Sequence, residues 1–150
     1  MRVFENPAEL LTAVGQDLGY SQWHEVTQER IDTFANATGD HQWIHTDPAQ
    51  AARGPFGSTI AHGFLTLSMI SMMAWEISTV KNASMTINYG MNKVRFPTPT
   101  PVGSKVRAHI VIDDVTESAK GIQVVQTVTV EIQGSDKPAC VAQTVTLLIP

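Results

Sequence analysis

The chain has 150 residues, a length that suits one domain built around a single core. With 43% hydrophobic residues and a net charge of −4, it is neither a disordered chain nor a binder of nucleic acid through a basic surface. No segment has the length and apolarity of a membrane span, and the first residues lack the apolar core of a signal peptide. The single cysteine, Cys140, excludes a disulfide framework and a multi-cysteine metal site. We therefore expect one cytoplasmic globular domain over residues 1–150.

Two short helices are predicted near the start of the chain. Asn6 followed by Pro7 is typical of a helix N-cap and first helical position. Thr27 caps a second predicted helix, and Gly39 stands where a glycine commonly ends one. These two helices frame the segment that leads into the middle of the chain.

A longer helix is predicted from Ala61 or Gly63 to about Ile77, and apolar residues occur on every face of it. A helix that is apolar all round is buried, so we expect protein on all its sides. Four segments rich in β-branched residues follow, separated by Gly, Pro, Asp and Ser: Met85–Phe96, Lys105–Val115, Ile122–Glu131 and Ala139–Leu148. The pattern predicts an α+β domain in which an antiparallel sheet wraps one helix. Because such a sheet leaves one edge uncovered, a homodimer through that edge is expected.

The segment between the second helix and the buried one is rich in chemically active side chains. It contains Asp40 and His45, and a carboxylate beside an imidazole provides two groups for proton transfer. The glycine-rich stretch that follows ends at Gly63, where free N–H groups at a helix N-terminus favour a developing negative charge. Taken singly, the aspartate also fits a turn residue and the histidine a packed loop residue.

These residues, together with the later strand ending in Arg95-Phe96-Pro97, resemble the signature of the MaoC-like, hydratase-2 family. The single-domain subgroup of nodulation protein N-like proteins is the most similar, and the resemblance spans nearly the whole chain. It implies a hotdog fold, in which the sheet wraps a long central helix. It also implies a hydro-lyase, an (R)-specific enoyl-CoA hydratase that adds water reversibly to a trans-2-enoyl-CoA and gives the (3R)-3-hydroxyacyl-CoA. No metal or organic cofactor is implied, and the substrate is an acyl-CoA thioester.

The resemblance also assigns roles to particular residues. It implies that Asp40 and His45 hold and polarise the water, and that one of them delivers a proton to C2 of the substrate. The N–H of Gly63 then binds the thioester carbonyl oxygen, and Ser71 matches a polar residue that supports the aspartate. The family usually has Asn-Pro between the acid and the histidine, where this chain has Gln42-Trp43. That departure leaves the acyl-chain preference open.

Three further residues are candidates for substrate binding. His62 precedes the buried helix and either contacts substrate or orients the turn into the helix. Lys93 and Arg95 share one face of a predicted strand, because strand side chains alternate. With Lys105 and Arg107 beyond the proline-rich turn, they form either a basic patch for coenzyme A phosphates or a solvated strand face.

Two other functions stay open beside the hydratase. A hotdog acyl-CoA thioesterase needs a carboxylate on the central helix, where the sequence offers only Glu76 at the far end. A non-catalytic protein that binds acyl thioesters does not need the Asp40–His45 pair. A zinc site built from the histidines at positions 41, 45 and 62 is disfavoured, because the chain has no cysteine cluster and no H-E-x-x-H arrangement.

Overall fold

The structure is a computed structural model that describes all 150 residues. Its helices are a 3-10 helix over Pro7–Thr12, α1 (Gln28–Thr38), α2 (Trp43–Thr46), α3 (Pro48–Ala52) and α4 (Gly63–Ile77). Its strands are β1 (Arg2–Phe4), β2 (Asp17–Tyr20), β3 (His24–Glu25), β4 (Ser78–Val80), β5 (Met85–Arg95), β6 (Lys105–Ser118), β7 (Gly121–Ile132) and β8 (Cys140–Ile149). None of the helices is long and apolar enough to cross a membrane.

The helix boundaries follow the capping residues. Asn6 Oδ1 accepts the N–H of Glu9 at 3.2 Å, and the turn that follows is a 3-10 helix rather than an α-helix. Thr27 Oγ1 accepts the N–H of Arg30 at 3.2 Å and starts α1. Gly39 ends α1 with a φ of 81°, a conformation that only glycine adopts at little cost. The capping residues therefore predict both ends of α1 correctly.

The main sheet is antiparallel and has the strand order β2-β6-β7-β8-β5, with β3 also paired to β6. The four long predicted strands are all present, with ends shifted by a few residues. Strands β1 and β4 form a separate parallel pair. We did not predict the four short strands, because segments of two to four residues carry no readable alternation.

Helix α4 packs across the face of the sheet through Leu65, Met69, Ile70, Met73 and Ile77, all buried. The expectation that protein covers all sides of this helix is wrong within one chain. Phe64 is 68% exposed and Trp75 is 59% exposed, because no element of the same chain covers that flank. The flank lies on the same side of the molecule as β5, which is the free edge of the sheet.

Candidate functional site

Three titratable side chains meet where α1, α2 and the start of α4 come together. Gly39 turns the chain out of α1, Asp40 follows directly, and the single turn of α2 carries His45. A carboxylate oxygen of Asp40 and ring nitrogens of His45 and His62 all lie within 4.8 Å of one another. The aspartate is exposed, whereas both histidines are buried. The structure thus brings together two of the residues that the resemblance makes catalytic.

His45 is held by one hydrogen bond at its ring and by another at its backbone oxygen. Its Nδ1 lies 2.7 Å from the carbonyl oxygen of Ile60, and a carbonyl can only accept, so Nδ1 carries the proton. Its Nε2 therefore keeps a free lone pair. The side chain of Gln28 donates to the backbone oxygen of His45 at 2.8 Å, which ties α2 to α1. The result is a histidine of defined tautomer with one nitrogen available for chemistry.

Burial lowers the pKa of His45, because removing the ring from water disfavours its charged form. The neighbouring carboxylate of Asp40 opposes this effect but does not reverse it. His45 is therefore neutral near pH 7 and able to accept a proton at Nε2.

The ring of His62 joins the two members of the pair. Its Nε2 donates to the backbone oxygen of Asp40 at 2.9 Å, and the ring stacks on His45 with centroids 3.9 Å apart. Phe34 packs against the other side, with centroids 4.9 Å apart. The ring is only 3% exposed, and Nδ1 has no hydrogen-bond partner. In this environment His62 contacts both Asp40 and His45 and restricts their relative positions.

The same three residues carry atoms able to bind a metal ion. The geometry of the rings does not suit one, however. The imidazoles of His45 and His62 stack with an angle of 25° between their planes, so their lone pairs run side by side instead of converging. A tetrahedral ion requires ligand lone pairs that point at a common centre, and the cluster fits proton transfer better.

Gly63 is the first residue of α4, so its N–H has no acceptor within the helix. It borders a cavity of about 230 Å³ that His45, Thr66 and Phe96 also line. The Phe96 ring lies 3.1 Å from the point where a Cβ on this glycine would stand. A donor at a helix N-terminus and the buried histidine therefore open onto one cavity.

Ser71 is not near this cluster within one chain. It lies eight residues further along α4, about 12 Å along the helix axis from Gly63. Its hydroxyl accepts a hydrogen bond from Asn88 Nδ2 at 3.5 Å. The expected support of Asp40 by Ser71 does not occur between residues of the same chain.

Lys93 and Arg95 lie on the outer face of β5, since Val94 between them packs into the core. The Arg95 guanidinium donates to the backbone oxygen of Val94 at 2.7 Å. The combined basic patch is wrong, because β7 and β8 separate β5 from β6 in the sheet. Arg107 is also occupied by an ion pair with Glu131 at 2.8 Å.

Two residues position the site in ways that the sequence reasoning did not predict. Gln28 accepts the hydroxyl of Thr59 and donates to the His45 backbone, so it links three segments around the pair. A glutamine on a helix gives no sign of this role, because most helical glutamines face water. Phe96 belonged to the Arg-Phe-Pro string, but only the fold shows that it packs on Gly63. Trp43, whose effect on the pocket was open, packs against Gly54.

The family described as MaoC like domain matches residues 9–133 of this chain. The chain belongs to the MaoC-like family. Among curated MaoC-like relatives, 3-hydroxyacyl-thioester dehydratase Z of Mycobacterium tuberculosis is 52% identical over 97% of this chain and 97% of its own length. Nodulation protein N of Rhizobium leguminosarum bv. viciae is 42% identical over 94% of this chain and 89% of its own. The predicted subgroup is thus confirmed.

Solved structures agree on the fold of this MaoC-like chain. The R-hydratase PhaJ1 from Pseudomonas aeruginosa matches 91% of it with a TM-score of 0.74 and covers 81% of its own chain at 24% identity. The monoamine oxidase regulatory protein from Archaeoglobus fulgidus matches 99% of it with a TM-score of 0.77, over 97% of its own chain at 23% identity. At these identities the likeness shows the fold alone. The predicted hotdog arrangement of antiparallel sheet and central helix is confirmed.

Proposed function

We propose that this MaoC-like protein is an (R)-specific enoyl-CoA hydratase, a hydro-lyase that adds water reversibly to a trans-2-enoyl-CoA and forms the (3R)-3-hydroxyacyl-CoA. One observation carries the proposal. The Asp40 carboxylate lies beside the buried, neutral His45, and His45 and Gly63 with its free N–H border the same cavity. The activity in the name of a relative that is 52% identical, a 3-hydroxyacyl-thioester dehydratase, supports the same reaction class.

The reaction needs one new C3–O bond and one new C2–H bond. A water held between Asp40 and His45 supplies its oxygen to C3 and loses a proton to the pair, which gives one proton to C2. The pair therefore ends the cycle in the protonation state in which it began. Charge that develops on the thioester oxygen is stabilised by the N–H of Gly63 at the positive end of the α4 dipole. Within this proposal, His62 keeps Asp40 and His45 at a fixed separation.

Turnover of crotonyl-CoA tests the proposal directly. We expect loss of the conjugated enoyl-thioester absorbance and formation of (3R)-3-hydroxybutyryl-CoA, identified by chiral analysis of the product. Release of free CoA thiol instead would show a thioesterase. Binding without turnover of crotonyl-CoA and of longer enoyl-CoAs would favour the non-catalytic protein.

The thioesterase alternative lacks a free carboxylate on the central helix. Glu76 accepts the N–H of Gln22 at 2.9 Å and lies 2.8 Å from His24 Nε2. These contacts tie the end of α4 to the segment before α1, so this carboxylate holds the fold together and is not free to act on a thioester.

We also propose that the protein acts as a homodimer. Large apolar side chains are exposed both on the flank of α4 and along the free strand β5: Phe64, Met72, Trp75, Met85, Ile87, Tyr89, Met91 and Phe96. Beside them, β5 offers unpaired backbone N–H and C=O groups along a strand of 11 residues. A second copy that pairs through β5 about a two-fold axis covers both features.

Trp75→Glu is expected to convert the dimer to a monomer, because the pairing would bury a charge without a partner. Analytical ultracentrifugation should give the wild type a molecular mass of twice 16.3 kDa and the variant a mass of 16.3 kDa. Val14→Glu is the control, since Val14 is also exposed, at 49%, but lies outside this surface. A monomeric wild type, or equal effects of both variants, would contradict the proposed dimer.

A further inference from the structure

Helix α2, which carries His45, is a single turn of four residues, Trp43–Thr46. Its N-cap residue, Gln42, makes no side-chain hydrogen bond to that turn. A helix of one turn is unstable by itself, because its few hydrogen bonds do not offset the entropy lost in ordering the backbone. The orientation of His45 is therefore set by the contacts that other elements make with α2.

The segment beside α2 that ends at the start of α4 is held by backbone hydrogen bonds. The N–H of Val102 donates to the backbone oxygen of Thr59 at 2.9 Å. The N–H of Ala61 donates to the backbone oxygen of Thr100 at 2.8 Å. Ile60 is thus held on both sides, and its carbonyl oxygen is an acceptor in a fixed position.

Gln28 of α1 connects this segment to α2. Its Oε1 accepts the hydroxyl of Thr59 at 2.5 Å, and its Nε2 donates to the backbone oxygen of His45 at 2.8 Å. The same Nε2 donates its second hydrogen to Oδ1 of Asp32 at 2.9 Å. Because a backbone carbonyl and a carboxylate only accept, one orientation of the amide satisfies all three bonds. Gln28 is therefore a bridge of defined geometry between Thr59 and α2.

The contacts close a circle around His45. Its ring Nδ1 donates to the backbone oxygen of Ile60 at 2.7 Å, and Ile60 directly follows Thr59 in the chain. The hydroxyl of Thr59 leads through Gln28 back to the backbone oxygen of His45. We call the path Thr59–Gln28–His45 the Gln28 bridge. The bridge holds the backbone of His45 while Ile60 holds the ring, and the bond at Nδ1 leaves Nε2 free.

The two side chains of the bridge lie away from the reacting groups. Neither Gln28 nor Thr59 borders the cavity that His45 and Gly63 share. They therefore do not touch a substrate bound in that cavity and act on the reaction only through His45. Loss of the bridge should slow the chemical step and leave substrate binding unchanged, so that kcat falls and KM is kept.

We infer that Gln28 and Thr59 are positioning residues for His45, and that the Gln28 bridge keeps the imidazole proton on Nδ1 and Nε2 available as a base. The consequence for the rate rests on the proposed function. The consequence for the imidazole is a property of the folded chain and requires no substrate.

Steady-state hydration of crotonyl-CoA gives the first test. Gln28→Met keeps the length of the side chain but removes its donors, and Thr59→Val keeps the shape but removes the hydroxyl. We expect each to lower kcat about tenfold with KM unchanged, because a small displacement of a reacting group is costly in rate. Thr59→Ser keeps the hydroxyl and should restore most of kcat. The double variant Gln28→Met with Thr59→Val should lose no more than either single one, because both break the same bridge.

Thr33→Val is the matched control for these variants. Thr33 also lies on the α1 side of the molecule, but its hydroxyl donates to the backbone oxygen of Glu29 within the same helix, at 2.8 Å. Its loss leaves the Gln28 bridge intact, so kcat should stay at the wild-type value. Melting curves of all variants verify that they are folded.

Nuclear magnetic resonance of the ring nitrogens gives a second test that does not depend on turnover. The chain has five histidines, and the signals of His45 are identified by their loss in His45→Gln. The wild type should show Nδ1 protonated and Nε2 unprotonated. Gln28→Met and Thr59→Val should show a population of the other tautomer, because the hydrogen bonds of a ring decide which nitrogen carries the proton. Thr59→Ser and Thr33→Val should match the wild type.

Three results would overturn the inference. The first is a wild-type spectrum with the proton of His45 on Nε2. The second is a kcat and a tautomer population that Gln28→Met and Thr59→Val change no more than the control does. The third is a Thr59→Ser variant as slow as Thr59→Val, which would assign the effect to packing instead of the hydroxyl. If the wild type does not hydrate crotonyl-CoA, the proposed function fails separately, and the nitrogen spectra alone decide the inference.

Discussion

Asp40→Asn and His45→Gln are each expected to lower kcat/KM for crotonyl-CoA by about a thousandfold, since each removes one partner of a proton-transfer pair. The asparagine keeps the side-chain oxygen that accepts the N–H of Gln42 at 3.3 Å, so the turn after Gly39 should survive. The glutamine keeps a polar group near Ile60 but offers no basic nitrogen. Steady-state hydration rates, with melting curves to verify folding, give the measurement.

The double variant sharpens this test. The losses in rate caused by removing groups that act as one unit are not additive. Asp40→Asn and His45→Gln together should therefore lower kcat/KM about as much as either one alone. His41→Gln serves as the control, because His41 lies in the same segment but is exposed and outside the cluster. Activity within tenfold of wild type in either single variant would show that the pair does not carry the chemistry.

Sequence reasoning succeeded where local rules act alone. Capping at Thr27 and Gly39 defines α1 because those preferences depend only on neighbouring backbone groups. The long strands were readable because their alternation is sustained over ten or more residues. Spacing and resemblance predicted the pairing of Asp40 with His45. The structure adds the contacts that other elements make with this pair, which spacing cannot reveal. The buried ring of His62 and the side chain of Gln28 reach the pair from other elements.

The predictions that were wrong depended on long-range contacts, which local sequence rules do not specify. The basic patch assumed that strands consecutive in sequence are neighbours, but β5 crosses to the far edge of the sheet. The full burial of α4 was wrong for one chain because apolar composition does not say whether the covering surface belongs to the same chain or to another. Ser71 illustrates how the fold sets a residue's neighbours, since the sheet order places Asn88 beside it and the helix rise separates it from Gly63.

The second large effect is expected at Gly63. Two substitutions there distinguish the effect of losing the N–H from the effect of adding a side chain. Gly63→Ala and Gly63→Pro both place a Cβ at 3.1 Å from the Phe96 ring, so alanine is the control for that contact. Only proline removes the N–H. Proline is tolerated at the first position of a helix, and His62 before it already has φ −58° and ψ 138°, which suit a residue preceding proline.

We expect Gly63→Ala to lose activity only severalfold and Gly63→Pro to lose about a hundredfold more in kcat, because one donor to a developing oxyanion contributes on that scale. The loss should fall on kcat rather than KM, since the thioester oxygen gains its charge only as the reaction proceeds. Equal losses for the two variants at matched melting temperatures would mean that the backbone of Gly63 does not bind the oxygen. The charge would then need a donor other than the pair, because a carboxylate repels a negative charge and Nε2 of the neutral His45 carries a lone pair instead of a proton.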